Sequence, residues 1–275
     1  MNSFESVTGI VLLLYGIASL SGLGGIAARK ALLKQGGALC AVLGFAAQTF
    51  TLLNGSHALL PQGLSWGAYL QLMAWFLVLC GLIGWWRLKT LTPLIFAAPL
   101  ALIFFCMALP YQQKVIVLPP QLSAPFYALH IGSLFLCLGL TALAFGAAVL
   151  FLVLEKRLKG KVRMKGFLQD MPALTVLDRI NAAAVTLGFP LYTLGIVSGY
   201  LWAKPVFGVT LSGDPKEILS VFIWGLYALL FHNRLICGWK GRKPALYMIV
   251  IFALSVFSVL FINIFLTTHH SIIRQ

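Results

Sequence analysis

The chain has 275 residues, 60% of them hydrophobic and only 9% charged, and its mean hydropathy of +0.96 exceeds that of water-soluble domains of this size. This is the composition of an integral membrane protein, and it excludes soluble dehydrogenase, kinase and helix-turn-helix folds. The formal charge of +14 does not point to nucleic acid, because the basic residues sit in short clusters between apolar runs, as they do in cytoplasmic loops of membrane proteins.

A hydrocarbon core takes about 20 apolar residues per helix. Stretches of that order recur near residues 7–27, 36–54, 65–86, 91–109, 125–154, 180–202, 215–236 and 245–268. The predicted fold class is therefore all-α, a polytopic membrane helix bundle of about eight transmembrane helices in a single integral membrane domain over 1–275. No Lys or Arg precedes the first apolar run, which is long enough to span, so it is expected to be an anchored helix rather than a cleaved signal peptide.

The basic residues alternate along these stretches. Arg29, Lys30 and Lys34, then Arg87 and Lys89, then the run from Lys156 to Arg179, then Arg234, Lys240, Arg242 and Lys243 fall on one side; Lys114, Lys204, Lys216 and Arg274 fall on the other. The positive-inside rule then places both termini outside. Cys40, Cys80, Cys106, Cys137 and Cys237 form neither a C-x-x-C pair nor a C-x-x-C-H motif and read as apolar filler.

The fifth segment extends from His130 to Glu155, about 37 Å as a helix, so it crosses fully and projects beyond the inner face. Gly132, Gly139 and Gly146 recur along it on nearly one face, as glycines at a close helix contact do. In the loop that follows, Met164, Phe167, Leu168, Met171, Leu174 and Leu177 are spaced as on an interfacial helix among basic residues. Trp66 and Trp202 fall at outer boundaries and Trp85 and Trp86 at an inner one, the aromatic-belt positions.

Polar groups that a bilayer should exclude mark function in membrane proteins, which singles out the histidines. On this topology His57, His130, His269 and His270 lie at the outer surface. His232 lies roughly 27 Å deeper than Asp214, near the inner end of the seventh helix. Two imidazoles can supply both axial ligands of a haem iron, and His130 with His269 or His270 come from different helices at one depth; histidines at helix ends also simply favour the wet interface. The sixth helix carries Gly188, Pro190, Gly195 and Gly199, and is expected to be broken and closely packed through a G-x-x-x-G face. Asp214, Pro215 and Glu217 read as N-cap, first helical residue and capping-box partner of the seventh.

Together, Leu177-Asp178, Gly188-Phe189-Pro190-Leu191, Thr193-Leu194-Gly195-Ile196, Ser198-Gly199, Trp202-Ala203, Gly208, Asp214-Pro215-Lys216-Glu217, Trp224, Tyr227, His232 with Arg234, Gly238-Trp239-Lys240-Gly241-Arg242, and Asn263 before His270-Ser271 resemble the core of the cytochrome c assembly family, the CcsA or ResC type of haem-handling membrane protein. With His130 at the mouth of the preceding helix, the resemblance covers about 125–272; residues 1–109 match it weakly. It implies that His130 and His270 ligate haem b at the outer face, His270 being favoured over His269 by the His-Ser dipeptide. It further implies that His232 lies on the route by which haem crosses. Apocytochrome c and a companion membrane assembly subunit would be the partners, in a bacterial-type cytoplasmic (inner) membrane, with the chain as a possible subunit of a cytochrome c haem lyase.

The chain departs from that pattern in one loop. Phe207, Thr210, Leu211 and Gly213 stand where the family's tryptophan-rich W-x-W-D ending would be, and only Asp214 of it is retained, the residue counted here with the cofactor-binding set. This departure resembles the HemX or YpjD-type branch, which implies the alternative of a membrane regulator or adaptor linked to haem biosynthesis without haem transfer. An unrelated transporter has little support, since no carboxylate lies mid-span and no inverted repeat is visible.

Overall fold

A computed structural model describes residues 3–59, 66–111, 124–161, 172–207 and 213–259. Among these the protein is helical throughout: α1 (Ser3–Ala27), α2 (Ala31–Leu59), α3 (Trp66–Leu88), α4 (Thr92–Ala108), α5 (Ala124–Lys159), α6 (Leu174–Phe207), α7 (Pro215–Leu235) and α8 (Arg242–Phe257), with one turn of 3-10 helix at Leu109–Tyr111. Helices α1, α2, α3, α5, α6 and α7 each contain a stretch long and apolar enough to cross a membrane. α4 is a shorter apolar helix of 17 residues, and the last expected span, 245–268, continues beyond the described part of α8. The chain is a polytopic helical membrane protein.

Two expectations from the sequence change. α6 is one helix of 34 residues that runs through Pro190 instead of breaking there: a proline forfeits a single ladder bond, here to the carbonyl of Thr186, and packing from neighbouring helices holds the rest. α6 also begins at Leu174 rather than near 180, so it absorbs Leu174 and Leu177 from the expected interfacial helix. Leu177 is buried inside the fold rather than turned to a lipid surface. Met164, Phe167, Leu168 and Met171 lie outside the described residues.

After α1, α3 and α5 the left-handed residue at the basic turn is itself basic, while the turn after α7 uses Gly238. Arg29, Lys89 and Lys161 take positive φ values of 58°, 56° and 49°, the left-handed conformation that terminates a helix and more commonly recruits glycine. A cation at that position also opposes the negative end of the helix dipole.

The chain divides into two compact units, Met1–Ile116 with Leu154–Ala173, and Val117–Val153 with Leu174–Gln275. In the first, α1 packs along α2, and α4 packs on α3 and α1. Two of its interior polar side chains satisfy each other and the backbone: the buried Tyr15 hydroxyl donates to Gln48 Oε1 (2.6 Å) and Gln48 Nε2 donates to the Gln71 carbonyl (2.7 Å), as a water-free interior favours.

In the second unit α5 to α8 share a core of Cys137, Ala144, Ala184, Val185, Ile223, Tyr227, Leu230, Met248 and Ile251. Lipid gives no hydrophobic drive between helices, so close packing and interhelical hydrogen bonds hold them. Tyr227 does both: its hydroxyl donates to the Ala184 carbonyl at 3.0 Å, and it fits because residue 188 is glycine, whose Cβ, if present, would fall on that hydroxyl. Trp224 Nε1 donates to Thr193 Oγ1 (3.0 Å) and the Tyr192 hydroxyl to the Ser220 carbonyl (3.3 Å), fastening α6 to α7 at two more levels.

Candidate functional site

His130 stands in the second turn of α5, half-buried, against the G-x-x-x-G face of α6. Its Nδ1 lies 2.6 Å from the Gly195 carbonyl oxygen. A carbonyl only accepts, so Nδ1 carries the proton, and in the neutral ring Nε2 is then the nitrogen with the lone pair. This is the arrangement in which a histidine serves a metal: one nitrogen anchored to backbone, which fixes tautomer and ring plane, the other available as a ligand.

The ring sits there because Gly199 lacks a side chain. A Cβ on residue 199 would come within 2.7 Å of His130 Cε1 and 2.8 Å of Nδ1. Gly195, one turn earlier, likewise admits Leu134 and Ser133 of α5. The Gly195 carbonyl is shared, since Ser198 Oγ also donates to it at 3.0 Å, and Ser133 Oγ donates to the Leu129 carbonyl at 2.6 Å. The close contact expected between these helices is thus made by the glycines of α6. A Cβ on Gly132 of α5 would touch nothing within 4 Å.

The pairs Tyr192–Ser220, Tyr227–Ala184 and Arg234–Asp178 set α6 and α7 antiparallel, so the first turn of α7 lies at the Gly199 end of α6, the end that holds His130. Asp214 is buried and caps the helix, its Oδ1 accepting from the Lys216 amide at 3.0 Å, with Pro215 in the first turn as expected. Asp214 therefore belongs to the same end of the unit as His130, through the first turn of α7.

His232 occupies the opposite end, in the last turn of α7, 16 residues after Lys216 and so about 24 Å along the axis, and its side chain is exposed. His269, His270 and Asn263 lie outside the described residues, as do Thr210 and Leu211. His57 is in α2, its side chain outside the described set. Gly213 has φ 71° and Phe207 is the last residue of α6. Among the described residues no three His, Cys, Asp or Glu side chains converge to hold an ion, so His130 is not part of an all-protein metal cage there.

Two features escaped the sequence reading. One is the use of Gly195 and Gly199 as the seat of His130; the available signal was a glycine pair one turn apart on the helix that follows the histidine-bearing one. The other is an ion pair at the end of the unit opposite His130. Arg234 Nη1 donates to Asp178 Oδ1 at 2.9 Å, Nη2 donates to the Asp178 carbonyl at 2.6 Å and lies 2.9 Å from Oδ2, and the Gly241 amide donates to Oδ1 at 2.8 Å. Both residues stood in the matched string, but 56 residues separate them and nothing in their spacing pairs them.

Comparison with known proteins completes the picture. Residues 66–270 match the family described as cytochrome C assembly protein. The chain belongs to that family. The match starts at the head of α3, upstream of residue 125, where the resemblance read from sequence begins. A cytochrome c biogenesis protein CcsA of Chlamydomonas reinhardtii is 31% identical over 163 residues, 58% of this chain and 44% of that protein. The CcsA protein of Guillardia theta is 29% identical over 157 residues, 52% of each chain, and that of Thermosynechococcus vestitus 42% identical over 79 residues, 29% of this chain and 25% of its own. The matches thus span about half or less of the length of these relatives.

Proposed function

We propose that this protein is a membrane haem-handling factor of cytochrome c biogenesis. It holds haem b at the outer end of its second unit through His130 and His270, for delivery to apocytochrome c alongside a companion membrane subunit, in a bacterial-type cytoplasmic membrane with both termini outside. The observation that supports this reading is the His130 Nδ1 to Gly195 hydrogen bond, which leaves Nε2 as the ring nitrogen with a lone pair for a metal to take. The imidazole donor suits a haem iron, and family membership supports the pathway.

The bound haem would supply the vinyl groups that apocytochrome thiols attack. The work of the protein's own residues is positional. Gly195 and Gly199 fix the plane of the His130 ring, Ser198 shares its carbonyl anchor, and Asp214 holds the first turn of α7 next to it. His232, about 24 Å inward, is the second histidine on the haem route.

Complementation of a deletion strain tests this. Wild type restores covalently haem-stained cytochrome c, His130→Ala does not, and His57→Ala does. A deletion strain with normal covalent cytochrome c but altered tetrapyrrole levels would instead identify a HemX-like regulator.

A further inference from the structure

We propose that Asp178 is the positioning residue of His232: through Arg234 and the Gly241 amide it holds the rotational phase of the last turn of α7 and so aims the histidine outward from the helix packing. The proposal rests on the reading of His232 as a haem-route ligand.

The last turn of a helix is where a side chain is hardest to hold, because its carbonyls lack partners within the helix and the end frays. His232 lies in that turn. Here the turn is closed by the Ile236 amide donating to the carbonyl of His232 itself (2.8 Å) and by the Trp239 amide donating to the Asn233 carbonyl (3.0 Å). These bonds close the backbone; the facing that Tyr227 and the buried Leu230 set one turn earlier still has to be kept through the end of the helix.

Arg234 keeps it. Two residues on a helix are separated by about 200° around its axis, so a guanidinium turned into the protein turns His232 away from it. Arg234 is buried and gripped at three points by Asp178 of α6, while His232 is exposed. The exposed face of α7 that carries His232 also carries Ile218, Phe222 and Leu229, the positions one helical stripe below it. The same carboxylate accepts from Gly241, whose φ of 76° starts α8. One side chain therefore fastens α6, the end of α7 and the start of α8. A planar fork on a carboxylate is directional in a way that a point charge is not, so Arg234→Lys should behave as Asp178→Asn does.

The test uses the full chain in nanodiscs loaded with hemin, read by absorption and by electron paramagnetic resonance of the bound iron. His232→Ala defines the His232-dependent part of the spectrum and His130→Ala the remainder. The expected result is that Asp178→Asn and Arg234→Lys each lose or shift the His232-dependent part alone, and that Asp178→Asn changes nothing further in a His232→Ala background. Retention of that part in both variants overturns the proposal. So does loss of the His130-dependent part as well, since Asp178 would then act on the whole fold. An unchanged spectrum in His232→Ala overturns the assignment of His232 itself, and the proposal with it.

Discussion

At the scale of single residues, the site depends on what two glycines leave out. Of the two histidines whose side chains are described, His130 and His232, His130 is set apart by a carbonyl at 2.6 Å and a missing Cβ at position 199. Gly199→Ala would force the ring from its seat, with an overpacking cost of about 1–3 kcal/mol. It should lower hemin affinity as far as His130→Ala does, measured by Soret titration, whereas Gly132→Ala, whose Cβ meets open space, should leave the titration unchanged. The same logic at a structural position pairs Gly188 with Tyr227. Gly188→Ala should lower the melting temperature in detergent, and Tyr227→Phe in the same chain should recover part of the loss by removing the obstructing hydroxyl. Tyr227→Phe alone should cost about 1 kcal/mol for the bond to the Ala184 carbonyl. Additive losses in the double variant would contradict the contact.

At the scale of elements, apolar length and charge alternation in the sequence are enough to place the helices, because each bilayer span must satisfy its own backbone. Their ends are less legible. α6 extends into the polar zone because Asp178 has a partner in Arg234, and it passes Pro190 because neighbouring helices hold it. Neither partner nor neighbour is visible in a local window of sequence. The start of α7 was legible, since Asp-Pro at a helix head is a local signal, and Asp214 does cap it. Asp214→Ala should therefore destabilise the protein by about 1 kcal/mol while Asp214→Asn, a comparable cap, should not. Thermal unfolding in detergent reads the difference. A loss of hemin binding in Asp214→Asn at unchanged stability would show that the carboxylate acts on the ligand as well as on the helix.

At the scale of the whole molecule, 20 basic residues against 6 acidic bear on topology, and in the orientation proposed from the positive-inside rule the turns after α1, α3, α5 and α7 face the inner side. Cys237, exposed in the turn between α7 and α8, reports on this directly. A membrane-impermeant maleimide should label it only after the cell membrane is permeabilised, and labelling in intact cells would invert the orientation. Cys80 and Cys137 are buried, whereas Cys106, within the apolar α4, and Cys237 are exposed on the protein surface. The proposed haem site was legible in the sequence through the family resemblance, which singled out His130 and His270 from the histidines at one depth. What the fold adds is the hydrogen bond that prepares His130.

In the function proposed, haem is held at the outer end of the second unit through His130 and His270. The most direct measurement is the absorption spectrum, with a pyridine haemochrome assay, of the protein purified in mild detergent beside its His130→Ala/His270→Ala double variant. The account predicts a low-spin b-type spectrum in the wild type and its loss in the variant. The same spectrum in both, or a wild-type protein that takes up no hemin on reconstitution, would contradict it.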